Sequence, residues 1–98
     1  MSKVFVYTLS FSWAYGGIIV LHKLCHMLRQ HGCDAYVWIW ENDPGRETNP
    51  KYDTPIGNGM DTTDAIAIYG RLIPGNPIKA KKVVRWALFM VRHCKRIT

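Results

Sequence analysis

The chain has 98 residues, a length that holds one domain and buries about 60–70% of the surface its unfolded form would expose. Apolar residues make up 48% and charged residues 20%, which is ordinary globular composition and excludes wholesale disorder despite a net charge of +6. Three cysteines without CxxC or CxH spacing exclude a disulfide framework and a zinc module, and fit a reducing cytoplasm.

The charge is uneven. Residues 1–49 hold four basic and four acidic groups, and residues 50–98 hold nine and three, so the whole excess lies in the second half. Val4 to Leu21 runs 18 residues without a charge, long enough to test as a membrane segment. Thr8, Ser10, Ser12, Gly16 and Gly17 interrupt it and two periodicities meet at the glycines, which favours a soluble reading.

KVFVYTL, residues 3–9, is rich in β-branched and aromatic side chains and predicts a strand buried on both faces. From Gly17 the spacing becomes helical. Val20, Leu21, Leu24, Cys25, Leu28 and His31 share one face, while His22, Lys23, His26, Arg29 and Gln30 share the other, and Gly32 is the expected C-terminal cap. DAYVWIW, residues 34–40, predicts a second strand. Residues 41–62 contain three prolines, three glycines and many Asx residues, so they predict a long loop with at most a short ordered piece.

DAIAIY, residues 64–69, predicts a third strand, and residues 77–93 a second helix with Val83, Val84, Trp86, Ala87, Leu88, Met90 and Val91 on its apolar arc. In that reading Asn76 is the N-cap and Pro77 the first helical residue. Strand, helix, strand, loop, strand, helix is the opening of a doubly wound α/β domain: a partial Rossmann-like three-layer arrangement with about three parallel strands and two main helices. Two helices hardly cover both faces of a parallel sheet, so a fragment or a chain paired with a partner is expected.

With the first and third strands as neighbours, their carboxyl ends form the switch point where such folds bind ligands, and SFSWAYGG (10–17) meets GRLIPGNP (70–77) there. Gly16 and Gly17 open a helix whose free N–H groups suit an anion. Lys79 and Lys82, with Lys81, sit where a helix dipole disfavours cations, a penalty that a bound anion would reverse. Trp13 and Tyr15 could stack on a sugar or base, or belong to the core. His22 and His26 stand four apart without HExxH or a third ligand, so they read as a solvated pair and no metal is expected. Glu41 and Asp43 read as solvated turn residues. No Ser-His-Asp, Cys-His or paired-carboxylate set can be assembled.

GGIIVLHKLCHMLRQHGCDAYVW (16–38) resembles the glycine loop, helix and second strand that open GT-B glycosyltransferases of the retaining, family-4-like kind. IYGRLIPGNPIKAKKVVRWALF (68–89) resembles a YPE...GNPxxAxxVVRWxL segment of a polysaccharide-associated branch, carried by Gly75, Asn76, Pro77, Ala80, Val83, Val84, Arg85 and Trp86. Gly70-Arg71 stands where that branch has Pro-Glu. The resemblance implies a transferase that moves a sugar from a nucleotide-sugar donor to a glycan or other acceptor. Residues 1–98 would be part of its acceptor-side domain, and the donor-binding domain would be absent. It points to Gly16, Gly17, Asn76 and Arg85, requires no cofactor, and leaves these residues alone inactive in transfer. The alternative is a small basic module that uses Lys79, Lys81, Lys82, Arg85, Arg92, Lys95 and Arg96 on nucleic acid or an anionic membrane surface. No helix-turn-helix, RNP or zinc pattern supports nucleic acid. The expected location is the cytoplasm, with peripheral membrane contact as the variant.

Overall fold

The computed structural model describes residues 2–70 and 73–86. Its elements are β1 (Val4–Thr8), α1 (Gly16–Gln30), β2 (Ala35–Ile39), β3 (Ile66–Gly70) and β4 (Lys82–Trp86). The strands form one parallel sheet in the order β2-β1-β3-β4, so the chain crosses from one side of β1 to the other between β2 and β3. The architecture is α/β, with four strands and one helix among the described residues.

The period-two alternation of the strands divides the core. Val6, Ala35, Val37, Ile39 and Ile68 point to the face where Leu21 and Cys25 of α1 pack. Phe5, Tyr7, Trp38, Ala67 and Tyr69 point to the other, where Ile78 and Ala80 lie over them. That second layer is held by aromatic geometry. Phe5 meets Trp38 edge-on at 5.3 Å, Tyr7 meets Tyr69 edge-on at 5.3 Å, and Trp40 stacks on Tyr7 at 5.8 Å.

α1 ends as its sequence predicts. Gly32 takes φ +87°, its N–H bonds Arg29 O, and the Cys33 N–H bonds Leu28 O, which together satisfy two terminal carbonyls.

The expected helix over 77–93 is corrected. Residues 82–86 are a strand that pairs with β3, Ile66 opposite Lys82 through Gly70 opposite Trp86, and residues 87–93 lie outside the described ones. Lys79 adopts φ +54°, which no α-helix accommodates, and Val83 and Val84 suit a pleated strand better than a helical turn. Asn76 does not cap a helix: its side chain closes a turn, accepting from Ala80 N at 3.1 Å and donating to Ala80 O at 2.8 Å. The three lysines therefore oppose no helix dipole.

The long loop contains the ordered piece. Residues 55–57 bridge the outer edge of β2 through Val37 N to Pro55 O at 3.0 Å and Gly57 N to Val37 O at 2.9 Å. One residue on, the Asn58 amide pairs both ways with Ile39, accepting from its N–H at 2.8 Å and donating to its carbonyl at 2.7 Å. A side-chain amide so replaces the next rung of a ladder and shields that edge.

Candidate functional site

The strand order places the switch point at the carboxyl ends of β1 and β3, and the loop that follows Thr8 leads from it to α1. The start of the long loop is laced to this connection. Trp40 N donates to Thr8 O at 3.0 Å, Phe11 N to Glu47 O at 2.8 Å, and Glu47 N to Ser10 Oγ at 2.8 Å.

Asp43 is the clasp: its two carboxylate oxygens accept from Ser10 N at 2.8 Å and Gly45 N at 2.9 Å, and these bonds hold its pKa below the usual carboxylate value. Gly45 is required by proximity, because a Cβ there would stand 2.8 Å from Ser10 Oγ. The reading of Asp43 as a solvated turn residue is corrected: it joins two loops. Glu41 likewise accepts from Trp38 Nε1 at 3.1 Å.

His22 and His26 are corrected as well, since neither is simply solvated. His22 is fully buried, its Nε2 donating to Leu9 O at 2.9 Å and its Nδ1 without a partner. The bond to a carbonyl fixes the proton on Nε2. His26 Nδ1 accepts from Asp53 N at 2.8 Å and its ring stacks on Tyr52 at 5.3 Å, while Arg29 pairs with Asp53 at 2.8 Å. The polar face of α1 is thus the seat of Tyr52 and Asp53. Among the described residues no group of three or more His, Cys, Asp and Glu side chains is arranged to hold a metal. Burial pushes the Cys25 thiol up to about 12, which keeps it protonated and inert.

Burial also lowers the His22 pKa, opposed in part by the Leu9 carbonyl. The unfolded chain takes up a proton near the ordinary histidine value of about 6.5, whereas the folded chain resists it until lower pH. His22 therefore contributes stability that is complete above that value and is lost as the pH falls toward its depressed folded one. Urea midpoints measured between about pH 7.5 and 5 should decline for the parent, and less for His22→Gln, which retains a donor for Leu9 O. Equal declines would remove His22 as a cause.

The six candidate residues fall into three places. Gly16 and Gly17 begin α1 at the switch point, with Tyr15 as an extended N-cap, no side-chain cap and no acidic residue in the first turn. A Cβ on Gly16 would meet nothing within 4 Å, so the approach to this helix start is open.

Asn76 and Arg85 gather instead around Tyr69, on the sheet face away from α1. The Tyr69 hydroxyl donates to Asn76 Oδ1 and accepts from Ile78 N at 3.1 Å. Arg85 donates to the carbonyls of Ile73 and Gly75, with its guanidinium 5.1 Å from the Tyr69 ring centroid. Within the segment that carries the more specific resemblance, residues 76–80 are thus a self-bonded turn.

Lys79 and Lys82 are exposed near the opposite, amino-terminal end of the strands. There Lys82 N donates to Ala65 O at 3.1 Å, Thr62 Oγ1 donates to Ile78 O at 2.6 Å, and Lys81 pairs with Asp64 at 3.4 Å.

Sequence reasoning missed the clasp that Asp43 makes with Ser10 and the burial of His22. Only bonds between residues 33 and 13 positions apart disclose them, and no local spacing does.

The arrangement defines the chain as an α/β domain whose parallel sheet reverses its strand order at β1, with a glycine-opened helix at that switch point. No family model, curated protein or solved structure matches it. No described helix is long and apolar enough to cross a membrane.

Proposed function

We propose that this chain is the acceptor-side, N-terminal part of a glycosyltransferase that uses a nucleotide-sugar donor and a glycan or other acceptor. One observation carries the reading: the uncapped Gly16-Gly17 start of α1 stands at the β1/β3 switch point, where a doubly wound sheet offers N–H groups to an anionic ligand. In this reading donor binding belongs to sequence beyond these residues, transfer requires it, and the enzyme works in the cytoplasm, with peripheral membrane contact as the variant.

The test is nucleoside diphosphate release from UDP-glucose and GDP-mannose, with glycan acceptors, by the protein extended through the coding sequence downstream of Thr98. Turnover that falls at least about tenfold in Gly16→Val, with an unchanged melting temperature, is the expected result, because a side chain there meets only the ligand's approach. No turnover from the extended protein, or downstream sequence lacking a second Rossmann-like domain, would sink the reading.

A further inference from the structure

Trp13 and Tyr15 are 69% and 65% exposed, the two most exposed large hydrophobic side chains among the described residues, and they flank Ala14 on the loop between β1 and α1. Exposed aromatics on a mobile stalk carry little meaning, but these are braced. Ser12 Oγ accepts from Ala14 N at 3.1 Å and closes the turn that presents them.

The Trp13 ring stands perpendicular to Phe11 at 5.0 Å. Phe11 in turn meets His22 at 5.2 Å and Tyr52 at 6.2 Å, both near-perpendicular, and His22 is pinned by Leu9 O. A run of rings therefore connects the exposed indole to a fully buried imidazole. The perpendicular contact covers at most one indole face.

We propose that Trp13 and Tyr15 form a carbohydrate-binding platform, on which a neutral pyranose ring of a glycan stacks its C–H face against the indole. The proposal deepens the acceptor-side reading and rests on it, naming the part of the site that holds the acceptor.

Charge and polarity select this occupant. Asp43 and Glu47 are bonded to Ser10 and Phe11 of the loop, with Arg46 between them in sequence, and the acidic excess suits sugar hydroxyls. The same excess opposes an anionic membrane, and apolar insertion would desolvate those carboxylates. A nucleic acid needs cations beside the rings, whereas the exposed Lys79, Lys81 and Lys82 lie toward the other end of the sheet. Among the described residues, a flat π-face beside a loop that carries two carboxylates and one guanidinium fits a neutral, hydroxyl-rich ring.

The experiment titrates the 98-residue protein with cellohexaose, maltohexaose and chitohexaose, read by tryptophan fluorescence and calorimetry. The expected result is saturable binding to at least one at dissociation constants below roughly 10 mM, weakened about tenfold or more in Trp13→Ala and kept within about threefold in Trp13→Phe. The melting temperature of Trp13→Ala should match the parent, because the side chain is mostly exposed.

No saturable binding to any of the three, or equal binding by Trp13→Ala, would overturn the proposal. So would Trp13-dependent partition into phosphatidylcholine–phosphatidylserine vesicles without glycan binding, or Trp13-dependent self-association, which would assign the rings to a membrane or to a second copy. Glycan binding beside an extended protein that releases no nucleoside diphosphate would keep the platform and remove the transferase reading. Turnover indifferent to Trp13→Ala would do the reverse.

Discussion

Replacing Asn76 with alanine should destabilise the protein by about 2–4 kcal/mol, the largest effect of any single truncation outside the hydrophobic core. The Asn76 amide has three partners: it accepts from the Tyr69 hydroxyl and Ala80 N, and donates to Ala80 O. Tyr69 is fully buried and Ala80 nearly so, so truncation leaves buried donors and an acceptor without water to replace the lost bonds. At this chain length each kcal/mol shifts the melting temperature by roughly 4–8 °C, so a thermal melt resolves the effect easily.

Asn76→Asp retains the acceptor for Tyr69 but sets a carboxylate against the Ala80 carbonyl, and should fall between parent and Asn76→Ala. Tyr69→Phe combined with Asn76→Ala should cost less than the two singly, because they remove one bond between them. A loss below about 1 kcal/mol for Asn76→Ala would show that water enters the turn and that the amide is not what closes it.

That turn also explains where the sequence misleads. Val-Val-Arg-Trp beside three lysines satisfies a helical period as well as a strand's, and short apolar runs do not decide between them. What decides is long-range: β3 already lies beside β1 with a free edge, Val83 and Val84 can pair with it, and the Tyr69–Asn76–Arg85 cluster fixes the return of the chain.

The first three strands and α1 were legible because each owes its form to local pattern. Continuous apolar runs marked β1 to β3 and a helical stripe with Gly32 at its end marked α1, whereas the order of β2, β1 and β3 was not legible, because which strands pair is a long-range choice that only the ladders of β1 disclose. The site was legible only in part. The glycines at the switch point can be read from position, whereas the burial of His22 depends on Leu9 and Phe11 folding over a helix face that looks polar by spacing. A helix stripe counts one surface, but two loops seat on the flank of α1 and make buried residues of its margin.

The loop that closes the switch point is anchored at its far end by packing that tolerates no side chain. A Cβ on Gly57 would lie 2.6 Å from Phe5 Cε1 and 2.8 Å from Tyr36 Cβ, and Phe5 is fully buried between Trp38 and Tyr36. Neither neighbour is the far end of a flexible chain, so the loop must move instead.

Gly57→Ala should therefore cost about 1–3 kcal/mol, with Gly57→Val costing more. The damage should spread along the edge of β2, because Gly57 N to Val37 O and the two bonds from Asn58 to Ile39 share the same placement. Amide hydrogen exchange offers the sharper readout: in Gly57→Ala the Val37 and Ile39 amides should lose protection, while those of Val6 and Ile68, on the inner strands, should change only by the global loss of stability. A uniform fall across all four would mean that Gly57 supports the whole core. Unchanged protection at Val37 and Ile39 would mean that Phe5 yields and the loop stays docked.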